Sequence, residues 1–293
     1  MNSINYSIII PHKNSSNLLQ RCIDSIPRRD DVQIIIVDDN SDSGKVDFEN
    51  FPGLREKSTE IYFTKESKGA GYARNVGLKH AKGKWILFAD ADDYYAPLFL
   101  DVLDRNLSED IDILFFNVFS NDINEFNRAS LVNSKYQSYS ETNDLNIIKY
   151  GIWAPWNKVI SLQYIQKHNL LFDEIPVGND AMFMLNASKL TDNIKVIYDK
   201  LYCITYQTDS ITFKPMTFER KIAYANINIR INKFFKENHL FNNQNVIISP
   251  KGVIVMLKEF GFKKTLKYLY YINKKDNILH LFYIWFKRKY ILK

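Results

Sequence analysis

Carboxylate side chains are the groups in this sequence that most directly suggest chemistry. They occur as one pair and one triplet, each at the end of a short apolar segment: Asp38 and Asp39, then Asp90, Asp92 and Asp93. Like charges this close would repel one another unless a cation lay among them. Hard oxygen ligands suit Mg²⁺ or Mn²⁺, ions that commonly hold a diphosphate. The triplet therefore predicts a divalent-metal site, whereas Asp39 alone could equally be a turn residue or a helix cap.

Alternating strand and helix patterns would bring these carboxylates to one place. Short apolar segments predict five strands: Tyr6–Ile10, Val32–Val37, Ile61–Thr64, Trp85–Ala89 and Ile111–Phe119. Helical patterns lie between them: from Ser15 or Ser16 to Pro27, over Gly69–Ala81, and from Pro97 to about Leu107. Such strands, apolar on both faces, indicate an α/β fold with a parallel sheet flanked by helices. Ligands of open sheets bind beyond the carboxyl ends of the strands, where these acids lie.

The second half of the chain has a less regular pattern. We predict a loop over Trp153–Lys158, a helix over Phe172–Leu190 and a strand over Ile194–Tyr206. From Thr217 onward the pattern is helical, with aromatic and aliphatic residues interleaved with lysine. The sequence therefore predicts a helical extension after the α/β region.

The charge of the chain is concentrated at its C-terminal end. The 293 residues include 39 Lys+Arg and 33 Asp+Glu, for a net charge of +6. The segment Lys258–Lys293 holds 10 of the basic residues and 2 of the acidic ones, or +8, which leaves −2 for the rest. A nucleic-acid binder more often has its basic stripe on the body of the fold. The tail instead predicts either amphipathic helices on an anionic membrane surface or a packing layer with solvated lysines.

Cysteine content and hydropathy indicate the compartment. Only two cysteines occur, Cys22 and Cys203, so a disulfide framework is excluded and a reducing compartment is favoured. The N-terminal residues do not have the pattern of a secretory signal. No window approaches the roughly 18 apolar residues of a spanning helix. We therefore expect a cytoplasmic protein that can lie peripherally on the inner face of the cytoplasmic membrane.

Five stretches of the sequence resemble, in order, the motifs of family 2 glycosyltransferases. They read YSIIIPHKN, IIIVDDNSDS, GAGYARNVGLKHAKGKWILFADADD, WNK and NDAMF. The resemblance covers roughly residues 4 to 212 and is densest over the first 93. It implies the Rossmann-like GT-A fold and inverting transfer of one sugar from a nucleotide-diphosphate sugar, typically a UDP-hexose or UDP-N-acetylhexosamine, with Mn²⁺ or Mg²⁺.

The resemblance is strongest to bacterial enzymes that build capsule, O-antigen or lipooligosaccharide chains. It implies a glycan or a lipid-diphosphate-linked saccharide as the acceptor, and no nucleic-acid partner. It also implies a GT-A domain over residues 1–215, with a nucleotide-sugar-binding half (1–117) and an acceptor-binding half (118–215). A basic, aromatic-rich helical extension follows at residues 216–293.

Individual residues receive roles from this resemblance. The nucleotide-sugar contacts would be Pro11, His12, Asn14, Asp38, Asp39, Gly69, Ala73, Arg74, Asn75, Asp90, Ala91 and Asp92. Asp39 would hydrogen-bond the base, and Asp38 would support that loop. Asp92 would hold the metal, with Asp90 or Asp93 as further ligands, and Asp180 would be the catalytic base. The acceptor or diphosphate side would be lined by Trp156, Asn157 and Lys158.

Two positions depart from the family pattern, and other interpretations remain open. Asn179 stands where the family usually has Glu, and Lys13 where it often has Tyr. The Gln-X-X-Arg-Trp motif of processive synthases is absent, which favours a single addition. A sugar nucleotidyltransferase would be expected to have a glycine-rich loop where this chain reads PHKNSSN. A non-catalytic sugar-nucleotide-binding domain is the third possibility, in which Asp180 would be an ordinary helix N-terminal acid.

Overall fold

A computed structural model describes residues 3–121, 128–205, 215–240 and 245–290. The chain divides into two compact units. The first contains residues 1–175 and 179–211, and the second contains residues 176–178 and 212–293. The domain boundary expected between residues 215 and 216 stays a prediction.

Eight strands in the described residues of the first unit form one sheet. They are β1 (Tyr6–His12), β2 (Val32–Asp39), β3 (Thr59–Thr64), β4 (Trp85–Phe88), β5 (Tyr94–Tyr95), β6 (Ile113–Ser120), β7 (Lys158–Ser161) and β8 (Ile194–Ile204). Their order across the sheet is β3-β2-β1-β4-β7-β6-β8-β5. The pairs β1–β2, β1–β4, β2–β3 and β6–β8 are parallel. The short strands β5 and β7 pair antiparallel with their neighbours.

The mostly parallel sheet predicted from the sequence is confirmed. All six predicted strands occur, because their apolar, β-branched and aromatic side chains suit a pleated strand that is covered on both faces. The predicted strand Ile194–Tyr206 corresponds to β8, and Tyr206 lies outside the described residues. Every residue of β2 is buried, and so is every residue of β1 except Pro11. The sequence did not predict β5 and β7, which are only 2 and 4 residues long. Segments this short carry too few residues for a recognisable period.

Helices flank the sheet of the first unit. They are α1 (Ser16–Asp24), α2 (Ala70–His80), α3 (Phe99–Asn106), α4 (Arg128–Thr142), α5 (Leu145–Gly151), α6 (Leu162–Lys167) and α7 (Ala181–Lys189). The first three correspond to the helices predicted between the strands. α1 and α2 begin directly after the turns that follow the parallel strands β1 and β3, so their N-termini lie near the carboxyl edge of the sheet. α3 follows β5, which runs antiparallel to β8.

The predicted helix over Phe172–Leu190 is wrong in its first half. Only α7 is helical there, and residues 172–180 are irregular. Pro176 has no N–H to donate, and Gly178 adopts a φ of +64°, outside the right-handed helical region. The chain therefore reaches α7 through an irregular segment that ends at Asn179 and Asp180.

The second unit consists of helices with a core of their own. They are α8 (Phe218–Glu237), α9 (Pro250–Lys275) and α10 (Ile278–Tyr290). Phe218, Met256, Tyr268 and Ile272 are buried in their shared core. Within the ranges that the structure describes, no helix is long and apolar enough to cross a membrane. The predicted C-terminal helical extension is confirmed.

Candidate functional site

Three carboxylates converge just beyond the end of β4. One oxygen from each of Asp90, Asp92 and Asp93 lies within 4.8 Å of the others. Asp93 is buried, whereas Asp90 and Asp92 are half-buried and reach solvent. The three carboxylates lie together because β4 is fully buried and ends two residues before Asp90, with only Ala89 between them. This group is the acid cluster.

Contacts from distant parts of the chain hold the acid cluster in place. The Asp90 N–H donates to the Tyr202 hydroxyl at 2.8 Å. The Thr205 N–H donates to the Asp93 carboxylate at 2.7 Å, so the residue that follows β8 contacts the cluster. Arg21 of α1 donates to the Asp92 carbonyl oxygen at 2.5 Å. Contacts from α1 and from the end of β8 thus hold the acid cluster in place.

The electrostatics of the acid cluster favour a cation. Burial raises the pKa of Asp93 well above its usual value, and the charges of Asp90 and Asp92 add to the rise. Burial and the Asp90 charge likewise raise the pKa of Asp92. Each of these carboxylates would therefore ionise more readily beside a positive charge. Three hard oxygen donors at this spacing fit Mg²⁺ or Mn²⁺.

The Arg74 guanidinium joins the acid cluster to the start of α7. It donates to Asp90 at 2.7 Å from Nη2 and to the Asn179 side-chain oxygen at 2.9 Å from Nη1. Its guanidinium carbon, Cζ, lies over the Phe172 ring, 5.3 Å from the centroid. Arg74 is 5% exposed, and its Nε–H has no hydrogen-bond partner within the described part of the chain. A buried cation therefore lies between the predicted metal acids and the predicted base.

Asp180 lies at the N-terminal end of α7, beside this arginine. It occupies the cap position, but in the described structure its side chain makes no capping hydrogen bond. Burial raises the pKa of Asp180, and the Arg74 charge only partly opposes the rise. A carboxyl group with a raised pKa accepts a proton more readily at neutral pH. Asp180 therefore does not cap its helix through its side chain, and its role as the catalytic base stays a prediction.

The turns after β1 and β2 are tied together by His12 and Asp38. His12 Nδ1 lies 2.7 Å from Asp38 Oδ2, and its Nε2 accepts from the Ser15 N–H. The ring therefore carries its proton on Nδ1 and donates it to Asp38. Burial would raise the pKa of Asp38, but hydrogen bonds from His12 and Ser41 outweigh it and lower the pKa. These contacts are the ones that a supporting role for Asp38 requires.

Asn14 makes a second connection between the same two turns. Its N–H donates to the Ser41 hydroxyl, and its side-chain oxygen accepts from the Asp42 N–H, both at 2.8 Å. It adopts a φ of +58°, a conformation that asparagine tolerates better than most residues. Pro11, the partly exposed residue of β1, pairs with Val37 in the sheet. The predicted nucleotide contacts of Pro11 and Asn14 stay predictions.

Asp39 connects the end of β2 with the start of α2. Its carboxylate accepts from the Gly69 N–H at 2.7 Å and from the Lys68 N–H at 3.1 Å. Lys13, at the position where the sequence departs from the family pattern, lies 3.8 Å from the same carboxylate. Gly69 has a φ of +90°, which only glycine adopts without strain. Asp39 is 3% exposed, so a hydrogen bond to the base of a nucleotide would need one of its oxygens to be shared with these donors.

The remaining α2 motif residues position the helix rather than face outward. Ala73 is fully buried. Asn75 both donates to and accepts from the Phe172 backbone, at 3.0 and 2.8 Å. A Cβ at Gly71 would lie 2.1 Å from the Asp173 carbonyl oxygen, so this residue allows α2 to approach the segment before α7. Ala91, also buried, separates the acids of the cluster.

Trp156, Asn157 and Lys158 are all buried. The Trp156 ring stacks on Tyr202, with centroids 5.6 Å apart, and so supports the residue that receives the Asp90 N–H. Asn157 donates to the Phe116 carbonyl oxygen, and the Lys158 amine donates to Asn157 and Ala154. Burial lowers the pKa of Lys158, and the Asp180 charge opposes this. Lining the acceptor or diphosphate side stays a prediction for these three residues.

The sequence did not identify three residues that belong to this site. Arg21 and Tyr202 contact the acid cluster from α1 and β8. Arg128 is the exposed first residue of α4, and its charge opposes the rise in the pKa of both Asp92 and Asp180. None of the three stands in a motif, and each is far from the acids in the sequence. Only the fold brings them to the site.

Comparisons with known proteins agree with this architecture. The family model described as "Glycosyl transferase family 2" matches residues 7–190. The uncharacterized glycosyltransferase EpsJ of Bacillus subtilis (strain 168) is 26% identical over 240 residues, or 75% of this chain and 69% of EpsJ. The residues matched by the family model, 7–190, include every site residue predicted from the sequence, from Pro11 to Asp180.

Solved structures share the fold. Residues 1–349 of S. aureus TarS, crystallised with UDP-GlcNAc, superpose with a TM-score of 0.66 at 17% identity, over 93% of this chain and 80% of that one. The mannosyltransferase PcManGT of Pyrobaculum calidifontis, in complex with GDP-Man and Mn²⁺, has a TM-score of 0.55 at 12% identity, over 100% and 89%. At these identities the likeness shows the fold alone, and that fold is the predicted GT-A fold.

Proposed function

The chain belongs to glycosyl transferase family 2, and from this premise we propose that it moves one sugar from a nucleotide-diphosphate sugar to an acceptor hydroxyl with inversion. The observation that carries the proposal is the Arg74 bridge. Arg74 bonds Asp90 of the acid cluster and Asn179, the neighbour of Asp180, and its charge also acts on Asp180, so a donor diphosphate at the cluster would lie near a proton acceptor. The nucleotidyltransferase alternative gives no role to a carboxylate such as Asp180 with a raised pKa.

Asp180 acts as the general base in this proposal. The acceptor oxygen attacks the anomeric carbon while its proton passes to the Asp180 carboxylate. The bond between that carbon and the diphosphate oxygen breaks, and the nucleoside diphosphate leaves. Because attack and departure occur on opposite faces, the configuration inverts without a covalent enzyme intermediate. Arg74 and Arg128 contribute positive charge near the bond that breaks.

The acid cluster would hold Mn²⁺ or Mg²⁺ through Asp92, with Asp90 and Asp93 as further oxygen donors. When bound, the ion supplies Lewis-acid stabilisation of the charge that develops on the leaving diphosphate. The raised pKa of Asp92 and Asp93 supports this assignment, because their mutual repulsion would be relieved by a cation. The Arg21 and Tyr202 contacts hold the backbone of the cluster in place.

We propose a UDP-linked hexose or N-acetylhexosamine as the donor. UDP-GlcNAc in the TarS structure supports a uridine nucleotide, and Mn²⁺ beside GDP-Man in PcManGT supports a metal-assisted site on this fold. His12, Asn14, Asp38 and Asp39 would line the nucleoside, because they hold the turns after β1 and β2.

The acceptor we propose is a glycan or a lipid-diphosphate-linked saccharide in bacterial surface polysaccharide synthesis. Its hydroxyl would reach Asp180 from the acceptor-binding half, residues 118–215. The resemblance to capsule, O-antigen and lipooligosaccharide enzymes supports this class. An anionic membrane surface, contacted through residues 258–293 at the inner face of the cytoplasmic membrane, would be the second partner.

A donor panel with two product readouts tests the reaction. The protein is incubated with Mn²⁺ and a set of nucleotide sugars, with and without a lipid-diphosphate-linked GlcNAc or GalNAc acceptor. Release of UDP that rises with acceptor, together with an inverted linkage in the product, is the expected result. Release of pyrophosphate would instead indicate a nucleotidyltransferase. Tight donor binding without any release, across the panel, would indicate a non-catalytic binding domain.

A further inference from the structure

We propose that one exposed face of α9 is the surface that lies on anionic lipid. This inference rests on the membrane contact proposed above and deepens it by naming the residues that make the contact. The face consists of Phe262, Leu266 and Tyr270, together with the lysines beside them, Lys263, Lys267 and Lys274. We call it the α9 lipid face.

A kink separates this face from the first part of α9. Gly261 has a φ of 77° and a ψ of 172°, which are not helical values, so a new helical segment begins after it. A Cβ at Gly261 would meet nothing within 4 Å, so crowding does not explain the glycine. Its backbone conformation does, because only glycine adopts it without strain. Residues 262–275 therefore form a helical segment that is separate from residues 250–260.

Three large apolar side chains form one exposed row on this segment. Phe262, Leu266 and Tyr270 are 68%, 48% and 71% exposed, and their spacing of four places them one above the other. Thr265, Tyr268 and Ile272 are buried and lie on the opposite side of the same segment. The segment therefore carries large apolar or aromatic side chains on its exposed face as well as on its buried face, unlike an ordinary surface helix with a polar outer face. An exposed apolar row of this kind marks an interaction surface.

The charge beside the row indicates what binds it. Residues 262–275 contain five lysines and no acidic residue. Lys263, Lys267 and Lys274 are exposed and lie about 60° to 100° around the helix from Leu266, on a single flank. The apolar row can enter the boundary between headgroups and acyl chains while these lysines reach anionic headgroups. A second copy of this chain would present the same positive charge and would be repelled.

A similar arrangement recurs on α10. Leu279, Tyr283 and Phe286 are exposed at spacings of four and three, whereas Leu281 and Ile284 are buried on the other side. Lys287, Arg288 and Lys289 follow in the last turn of the helix. Two helices of the same unit thus combine an exposed apolar row with basic residues. Residues 258–293 carry a net charge of +8 against −2 for the rest of the chain, and a lipid-binding surface would explain this concentration of positive charge.

Vesicle binding of the full chain tests the α9 lipid face. Flotation is measured with phosphatidylcholine vesicles and with vesicles in which about a third of the lipid is phosphatidylglycerol. We expect binding to the anionic vesicles alone. Replacing Lys263, Lys267 and Lys274 by glutamine should weaken it by roughly fivefold for each lysine. The double variant Phe262→Ser with Tyr270→Ser should weaken it by at least tenfold.

Matched variants on the first unit control for charge and hydrophobicity. Lys45, Lys57 and Lys189 are exposed lysines that can be changed to glutamine together, and Leu131 and Leu171 are exposed leucines that can be changed to serine. These controls should bind as the unmodified chain does. Vesicle binding by the α9 variants equal to that of the unmodified chain would overturn the proposal. So would an unmodified chain that binds no vesicles but forms, in light scattering, a dimer that the α9 variants lose. Acceptor-independent UDP release, measured without vesicles, should be unchanged in the α9 variants, so failure of the lipid face and failure of the transferase function are separable.

Discussion

The side-chain oxygen of Asn179 accepts a hydrogen bond from Arg74 Nη1 at 2.9 Å, across 105 residues of sequence. Asn179 is the position at which the sequence departs from the acidic residue usual in the family. The amide satisfies the arginine's donor without neutralising its charge. Asp90, 2.7 Å from Nη2, is the carboxylate partner of Arg74. More of the arginine's field therefore acts on Asp180 and on an incoming diphosphate than if position 179 were acidic.

Arg74→Lys should reduce turnover by at least tenfold, although the charge is kept. A lysine ammonium lacks the planar fork that bonds Asp90 and Asn179 on two sides, so the link between the acid cluster and α7 would be lost. We expect Asn179→Ala to cost about 1–3 kcal/mol of unfolding free energy, because it leaves an arginine donor buried and unsatisfied.

Turnover of both variants is measured as UDP release, and stability by denaturant unfolding. Arg105→Lys, at an exposed arginine of α3, is the matched control and should behave as the unmodified protein does. Full activity of Arg74→Lys would show that the bridge is dispensable.

Asp180→Asn should abolish transfer while donor binding stays intact. The amide cannot accept the proton of the acceptor hydroxyl, and loss of a general base typically lowers kcat by about 10²–10⁴-fold. Donor affinity is measured by calorimetry with Mn²⁺ and UDP. The control is Glu174→Gln, six residues earlier, whose carboxylate is exposed and lies 3.6 Å from Lys68. Turnover near that of the unmodified protein would contradict the base assignment.

The activity should fall toward acid at a higher pH than an ordinary aspartate would produce. Burial raises the pKa of Asp180, and a base works only when deprotonated, so kcat decreases as the pH falls through this raised value. The folded state also binds the Asp180 proton more tightly than the unfolded state. Stability is therefore lost as the pH rises from the unfolded pKa through the folded one.

The same argument predicts that Asp180→Asn unfolds at a higher temperature than the unmodified protein at neutral pH. Melting temperatures of both are measured across the acid-to-neutral range. The two curves should converge at low pH, where Asp180 is protonated in both states. A constant difference at every pH would assign the effect to something other than ionisation.

Asp92→Ala should remove both metal-dependent activity and metal-dependent stabilisation. A ligand that binds only the native state stabilises it by about 2.7 kcal/mol at 100 times its Kd, so Mn²⁺ with UDP should raise the melting temperature of the unmodified protein. The variant should not respond. Glu109→Ala, at a glutamate whose side chain is 92% exposed, should keep the response. Undiminished activity in excess chelator would rule out a metal role.

The acids at strand ends were predictable because the signal is local. Asp38, Asp39 and Asp90 directly follow or end buried apolar segments, and the strands observed there match those segments closely. The turns after β1 and β2 were accessible from the sequence for the same reason. The irregular segment before α7 was not, because its hydrophobic residues mimic a helical pattern that Pro176 and Gly178 interrupt.

The sequence by itself determined the α/β class, the acid cluster and the basic tail, since each depends on neighbouring residues along the chain. The tertiary structure alone decided that Arg74 links Asp90 to Asn179, that Tyr202 and Arg21 hold the acid cluster, and that Lys158 is buried. These contacts join positions 16 to 112 residues apart. Periodicity records which face of an element is apolar, but not which distant side chain will meet it. Which distant side chains meet depends on the order of the strands in the sheet and on how the turns and helix ends lie in the folded chain.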